Sequence, residues 1–129
     1  MMVDWPALKV AALESQSRAY APYSNYRVGA AVLTQSGEIF GACNVENASY
    51  GATCCAERAA AYMAVAAGYT VLTAVAVVTN GDAPGTPCGI CRQVLAEFGG
   101  EMDVLCFTPE GAEKAYKLSE LLPFAFTLE

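Results

Sequence analysis

The chain contains no histidine, and only seven of its 129 residues are Lys or Arg. Without an imidazole, any zinc centre must be built from sulfur, with at most a carboxylate beside it. Thirteen Asp and Glu give a formal net charge of −6, which repels a phosphate backbone and argues against nucleic acid as the main partner. A basic, aromatic-rich stretch of the kind that grips single strands is also missing. Charged residues of both signs make up 16% of the chain, against about 25% in an average soluble protein. A single copy therefore has an unusually apolar surface, and burial between subunits is the simplest remedy. A small neutral or cationic ligand suits this balance.

Residues 59–80 carry no charge and are long enough on paper to span a bilayer. They read better as two elements. Residues 59–67 are rich in helix formers and stop at Gly68, while 70–79 are rich in β-branched residues, as in a buried strand. No membrane span is expected. Six cysteines could staple a small secreted domain, but a chain of this length buries enough surface without them. Asp4 also stands where a signal peptide would carry positive charge. The expectation is one cytoplasmic domain over 1–129 with reduced thiols.

Asp4 and Pro6 open a first helix, with Leu8, Ala11, Ala12, Ser15 and Ala19 on one face. It ends before Pro22. A hairpin follows, 27–34 and 38–45, turning at Gln35-Ser36-Gly37, with Gly29 and Gly41 marking close backbone approach. A loop over 46–54 leads to the helix and strand just described, and a Gly- and Pro-punctuated loop over 80–87 leads to a helix over 88–97. Strands at 103–108 and 114–117 and a helical turn at 119–122 complete the order. The expected fold is α/β, a three-layer α-β-α sandwich around a mixed sheet of about five strands.

Two stretches carry chemistry: Thr53-Cys54-Cys55-Ala56-Glu57-Arg58 and Pro87-Cys88-Gly89-Ile90-Cys91-Arg92-Gln93. Each follows a loop and opens a helix, where the helix dipole favours the thiolate that zinc requires. Cys55, Cys88 and Cys91 form a three-ligand set that leaves a position open for water, as catalytic zinc sites do. Together the stretches are the cysteine variant of the zinc-deaminase signature. Taken alone, Cys88 and Cys91 could equally be a redox pair; the Cys55-Ala56-Glu57 stretch tips the balance to metal. A purely structural zinc site would need a fourth ligand, and Cys54 is the only convenient spare. Cys43, Cys54 and Cys106 read as packed apolar residues, and Tyr62, Met63 and Tyr69 as core or interface.

From Pro22 to Phe126 the chain resembles the small homotetrameric cytidine deaminases. The resemblance implies hydrolytic conversion of cytidine and 2′-deoxycytidine to the uridines with release of ammonia. One Zn2+ per subunit would be held by Cys55, Cys88 and Cys91, its hydroxide attacking C4 while Glu57 shuttles protons. Arg58 matches an arginine that hydrogen-bonds the zinc thiolates, and Asn44-Val45-Glu46-Asn47 is similar to the ribose-binding segment. If the strand continues to Glu46, Asn44 and Glu46 share a face and can grip the 3′-OH together. The resemblance also implies substrate contacts from Tyr26, which replaces a usual Phe, and from Ala56. Tyr50 and Phe126 match positions that cross the subunit boundary, so sites would be shared. Phe124 stands where Gly is usual. Close alternatives are deamination of a cytosine-bearing antibiotic of the blasticidin S type, and a non-catalytic zinc-stabilised binding module, which would have no need of Glu57.

Overall fold

A computed structural model describes residues 2–128, so the two ends of the expected 1–129 domain, Met1 and Glu129, lie outside the described residues. The elements run α1 (Trp5–Gln16), β1 (Val28–Thr34), β2 (Ile39–Cys43), a 3-10 turn (Tyr50–Ala52), α2 (Ala56–Ala66), β3 (Leu72–Thr79), α3 (Gly89–Gly99), β4 (Asp103–Phe107), β5 (Glu113–Lys117) and α4 (Leu118–Leu121). Five strands form one sheet in the order β2-β1-β3-β4-β5. β3 and β4 pair parallel, with Val77 opposite Cys106, and every other neighbouring pair is antiparallel.

The three layers follow from which side chains each strand face presents. Ala31, Leu33, Ala74, Ala76, Val78 and Phe107 pack with Leu8 and Ala12 of α1. The alternate residues Ala30, Val32, Val75, Val77, Val104 and Cys106 pack with Ala56, Ala60, Ala61 and Ala64 of α2 and Leu95 of α3. Small residues allow short distances between layers: a Cβ on Gly29 would stand 2.0 Å from Ala12 O, and one on Gly41 2.7 Å from Ser15 Oγ. α1 therefore lies directly on the β1–β2 hairpin. Asp4 caps it, its carboxylate accepting from Ala7 N at 3.2 Å.

The uncharged run divides as expected. Gly68 takes a φ of +101°, and Tyr69 N donates to Ala64 O at 2.9 Å, closing α2 in the way a left-handed glycine permits. Among the described residues, no helix is long and apolar enough to cross a membrane.

Two expectations need correction. α1 stops at Gln16 and does not carry its face to Ala19, because Arg18 N and Ala19 N turn back to Ser15 O and Gln16 O. β2 stops at Cys43 and does not continue to Glu46. There the backbone changes partners: Val45 bridges Cys54, and Glu46 N donates to Tyr20 O. The alternation expected to put Asn44 and Glu46 on one strand face does not apply.

Candidate active site

The N-termini of α2 and α3 meet beside the last residue of β3. Cys55 and Cys88 are the N-cap residues of these helices, both in extended backbone (ψ 151° and 169°), and neither side chain caps its helix. Both thiols are therefore free to turn toward each other. Cys91 lies buried in the first turn of α3. Their three Sγ atoms lie within 4.8 Å of one another, the one such cluster among the described residues, and Cys55 and Cys88 are 3.7 Å apart. Three thiolates set tetrahedrally at about 2.3 Å from one zinc ion lie roughly 3.8 Å apart. The donor set fits zinc.

The extended backbone at Cys55 also removes a geometric difficulty. Two residues along a regular helix would turn side chains about 200° apart, but only Glu57 of this pair is helical. Glu57 lies in the first turn of α2, is 5% exposed, and lines the same cavity as Cys55 and Cys88. Burial raises its carboxyl to about 7, against a smaller lowering by its own backbone N–H, and the Cys55 charge adds to the rise. A carboxyl poised near neutrality is suited to take and give protons.

Cys55 moves the other way. Hydrogen bonding from the Cys91 thiol lowers it to about 5 against the penalty of burial, with Cys88 and Arg58 assisting. Cys91 is raised by donating to that thiolate and by its own burial. The Arg58 guanidinium, charge-coupled to Cys55 and Cys91, donates from Nη2 to Thr53 O at 2.8 Å. Its Nε is the one buried side-chain N or O without a partner among the described residues. Such orphaned donors are rare, and this one suits a centre that gains negative charge when three thiols lose their protons to a metal.

The cavity holds about 150 Å³ and is lined by Tyr26, Val28, Asn44, Thr53, Cys54, Ala56, Thr79 and Thr86 besides Cys55, Glu57 and Cys88. Ligand cavities usually hold about 300–1,000 Å³, and this one is smaller. A second concavity of about 240 Å³, formed by Tyr23, Ser24, Glu46, Asn47 and Tyr50, shares Thr53 with it. A larger open groove of about 550 Å³ between α3 and residues 118–128 includes Glu97 and Glu101 but no cluster of metal donors.

Tyr26, Asn44, Ala56 and Glu57 thus reach the metal cluster's cavity, while Glu46 and Tyr50 line its neighbour. Asn44 is 8% exposed; its Oδ1 accepts from Val28 N at 2.9 Å and its Nδ2 donates to Tyr26 O at 2.8 Å. One amide hydrogen remains for a ligand. Glu46 accepts from Tyr23 N at 2.9 Å, from Ser24 N at 3.1 Å, and from Ser24 Oγ, and the Ser24 bond holds its carboxyl below the ordinary range. Phe126 is 69% exposed in the C-terminal groove and lines neither concavity. Of the three other thiols, Cys106 is buried and pushed up to about 12 by that burial, while Cys43 and Cys54 are partly buried. Tyr69 packs on Phe40 with ring centres 5.8 Å apart, whereas Tyr62 and Met63 face outward.

Several contributors escape sequence reasoning. Thr53, Thr79 and Thr86 line the cavity from three separate segments, and nothing in a lone threonine signals this. Arg92 and Gln93 have a clearer sign, their place directly after Cys91. Arg92 bonds Pro87, Thr86 and Leu121, and Gln93 Nε2 donates to Phe126 O at 3.0 Å.

Known proteins resemble the chain in sequence and in fold. The profile described as the cytidine and deoxycytidylate deaminase zinc-binding region matches residues 6–108. The chain is 44% identical over 117 residues to a cytidine deaminase of Sporosarcina psychrophila, covering 90% of this chain and 86% of that one. It is 42% identical over 127 residues to a cytidine deaminase of Mycobacterium tuberculosis, covering 98% and 92%. The crystal structure of cytidine deaminase from Burkholderia pseudomallei superposes with a TM-score of 0.91 at 46% identity, over 97% of this chain and 100% of that one. Sequence, fold and metal-ready thiol cluster thus agree, and the chain belongs to the zinc-binding cytidine and deoxycytidylate deaminase family.

Proposed function

We propose that this chain hydrolyses cytidine and 2′-deoxycytidine to uridine and 2′-deoxyuridine with release of ammonia. The observation that carries the reading is a buried carboxyl, Glu57, raised to about 7 in the cavity that Cys55 and Cys88 line, with the Cys91 thiol converging on those two from behind. Cys55, Cys88 and Cys91 would hold one Zn2+ per subunit. When bound, the ion would supply a water whose pKa is lowered toward about 7, ready for attack at C4.

Glu57 does the proton work. It accepts one proton of the attacking water and delivers it to ring N3, then takes the remaining proton from the hydroxyl now on C4 and delivers it to the exocyclic amine, so that the C4–N bond breaks, ammonia leaves and C4 becomes the carbonyl of the uridine. A folded-state value near neutrality lets one group act in both directions. Its burial keeps bulk water from competing for the proton. Arg58 offsets the negative charge of three thiolates on a divalent ion.

Tyr26 and the backbone of Ala56 would contact the base, with Asn44 and Glu46 at the ribose 3′-OH; what supports this is that Tyr26, Asn44 and Ala56 line the cavity of Cys55 and Glu57 and that Glu46 lines the concavity beside it. Glu46 in this arrangement also pins the turn that leads to Tyr26, through Tyr23 and Ser24. The small volume of the cavity, with Tyr50 79% and Phe126 69% exposed, supports a homotetramer in which neighbouring subunits complete each site through those two residues. We assign the protein to the cytoplasm, as one domain over 1–129.

The test is an ultraviolet time course with cytidine on wild type and Glu57→Gln, with zinc content measured on both. Glu57→Gln should keep fold and zinc and lose turnover by about 10²–10⁴-fold. A zinc-loaded Gln variant that converts cytidine at the wild-type rate would remove Glu57 from the mechanism. If wild type binds zinc but leaves cytidine untouched, the substrate assignment fails.

A further inference from the structure

The Arg92 guanidinium on α3 reaches acceptors in three pieces of chain. Nε donates to Pro87 O at 2.8 Å, Nη1 to Leu121 O at 2.8 Å, and Nη2 to Thr86 Oγ1 at 3.0 Å. Its backbone N–H donates to Cys88 O at 2.9 Å. Pro87 directly precedes Cys88, Thr86 lines the cavity with it, and Leu121 is the last residue of α4.

Of the three thiols, Cys88 is the least held by the fold. Cys91 is buried within α3, and Cys55 is partly buried and follows the Val45–Cys54 bridge. Cys88 is exposed, at the end of a loop without regular structure that starts after β3. Between Gly85 and Cys88 the described hydrogen bonds tying this loop to the body are Gly85 N to Thr79 Oγ1, the contact of the Cys88 thiol with that of Cys55 at 3.7 Å, and those made by Arg92, which are the ones that hold the backbone directly before Cys88. Pro87 is fully buried and has no N–H, so its carbonyl is its sole main-chain polar group. Arg92 Nε is the partner of that carbonyl.

We propose that Arg92 is a positioning residue that clamps Thr86 and Pro87 and so holds Cys88 within reach of Cys55 and Cys91, anchoring the clamp to the end of α4. The inference rests on the reading of these three cysteines as metal ligands. The geometry requires arginine: its planar fork has donors for separate acceptors in different directions, whereas the ammonium of lysine is a single point on a flexible stem. Losing the fork strands a buried carbonyl and frees the loop before Cys88. The consequence falls on how long the centre keeps its metal, not on how tightly substrate binds.

The test is the rate of zinc release from the zinc-loaded protein into excess chromogenic chelator, with fold followed by circular dichroism. Arg92→Lys should stay folded, release zinc roughly 10–100-fold faster than wild type, and leave KM for cytidine within about twofold. Thr86→Val, which removes one arm of the clamp and preserves shape, should speed release by a smaller factor and add nothing further in the double variant. A folded Arg92→Lys with wild-type release overturns the proposal. If Arg92→Lys does not fold, unchanged release from Thr86→Val overturns it. Cys88→Ala separates the two levels of argument. If it speeds release while the clamp variants do not, only the clamp falls; if it too leaves release unchanged, the ligand assignment falls and the clamp with it.

Discussion

Phe124 has a φ of +58° and a fully exposed ring, so its backbone is held in the left-handed region without repayment from packing inside the chain. That conformation costs an L-residue roughly 1–2 kcal/mol, because Cβ crowds the following carbonyl. Glycine escapes it, and glycine is what the family resemblance places here. Phe124→Ala removes the ring and keeps the strain; Phe124→Gly removes both. At an ordinary site glycine is about 0.5–1 kcal/mol worse than alanine. At position 124 the released strain exceeds that entropy, so the Gly variant should be the more stable of the two by about 0.5–1 kcal/mol. For a chain of this size that is a rise in Tm of about 2–6 °C. The assay is urea denaturation and calorimetry of the zinc-loaded protein at matched concentration, since subunit association also moves Tm. A Gly variant less stable than the Ala variant would refute the reasoning. An Ala variant more than about 1 kcal/mol less stable than wild type would show the ring covered by another subunit.

Glu57 predicts a pH dependence of the metal-free protein. Its carboxyl is raised from the ordinary 4.5 to about 7 in the fold, so the folded state holds its proton longer than the unfolded chain does. Stability is then fullest below pH 4.5 and falls as pH climbs to 7, by on the order of 3 kcal/mol. Urea titrations at pH 5 and pH 8 should therefore show Glu57→Gln gaining on wild type at the higher pH, and a pH-independent difference would contradict this. Gly29→Ala places a Cβ 2.0 Å from Ala12 O, a clash with backbone that should cost about 3 kcal/mol or prevent folding; soluble yield and Tm report it, and a variant with wild-type Tm would mean that α1 can move off the hairpin. Glu46→Ala should raise KM for cytidine by roughly tenfold while leaving the free base cytosine less affected, and equal effects on both would remove Glu46 from the ribose side.

Much of the fold was legible because its signals are local. Asp4 with Pro6 announced α1, Gly68 ended α2, and Gln35-Ser36-Gly37 turned the hairpin, each through cap or turn chemistry within a few residues. The strand past Cys43 was misjudged because Val45 and Glu46 trade their hairpin partners for Cys54 and Tyr20, distant in sequence and unmarked by any local pattern. The contacts of Arg92 are illegible in the sequence for the same reason: its acceptor on Leu121 lies 29 residues away.

The sequence by itself determined the metal chemistry. A chain with no histidine and with cysteines at the starts of two helices offers sulfur as the zinc donor, and the absent residue type narrowed that choice as much as those present. Tertiary structure alone decided the rest. Pairing β1, β3 and β4 side by side brings Cys55 and Cys88, 33 positions apart, to 3.7 Å, and packing around the start of α2 buries Glu57 and raises its carboxyl to about 7. Desolvation and convergence are sums over neighbours from many segments. A motif names the groups, and only the packed fold sets their distances and their proton affinities.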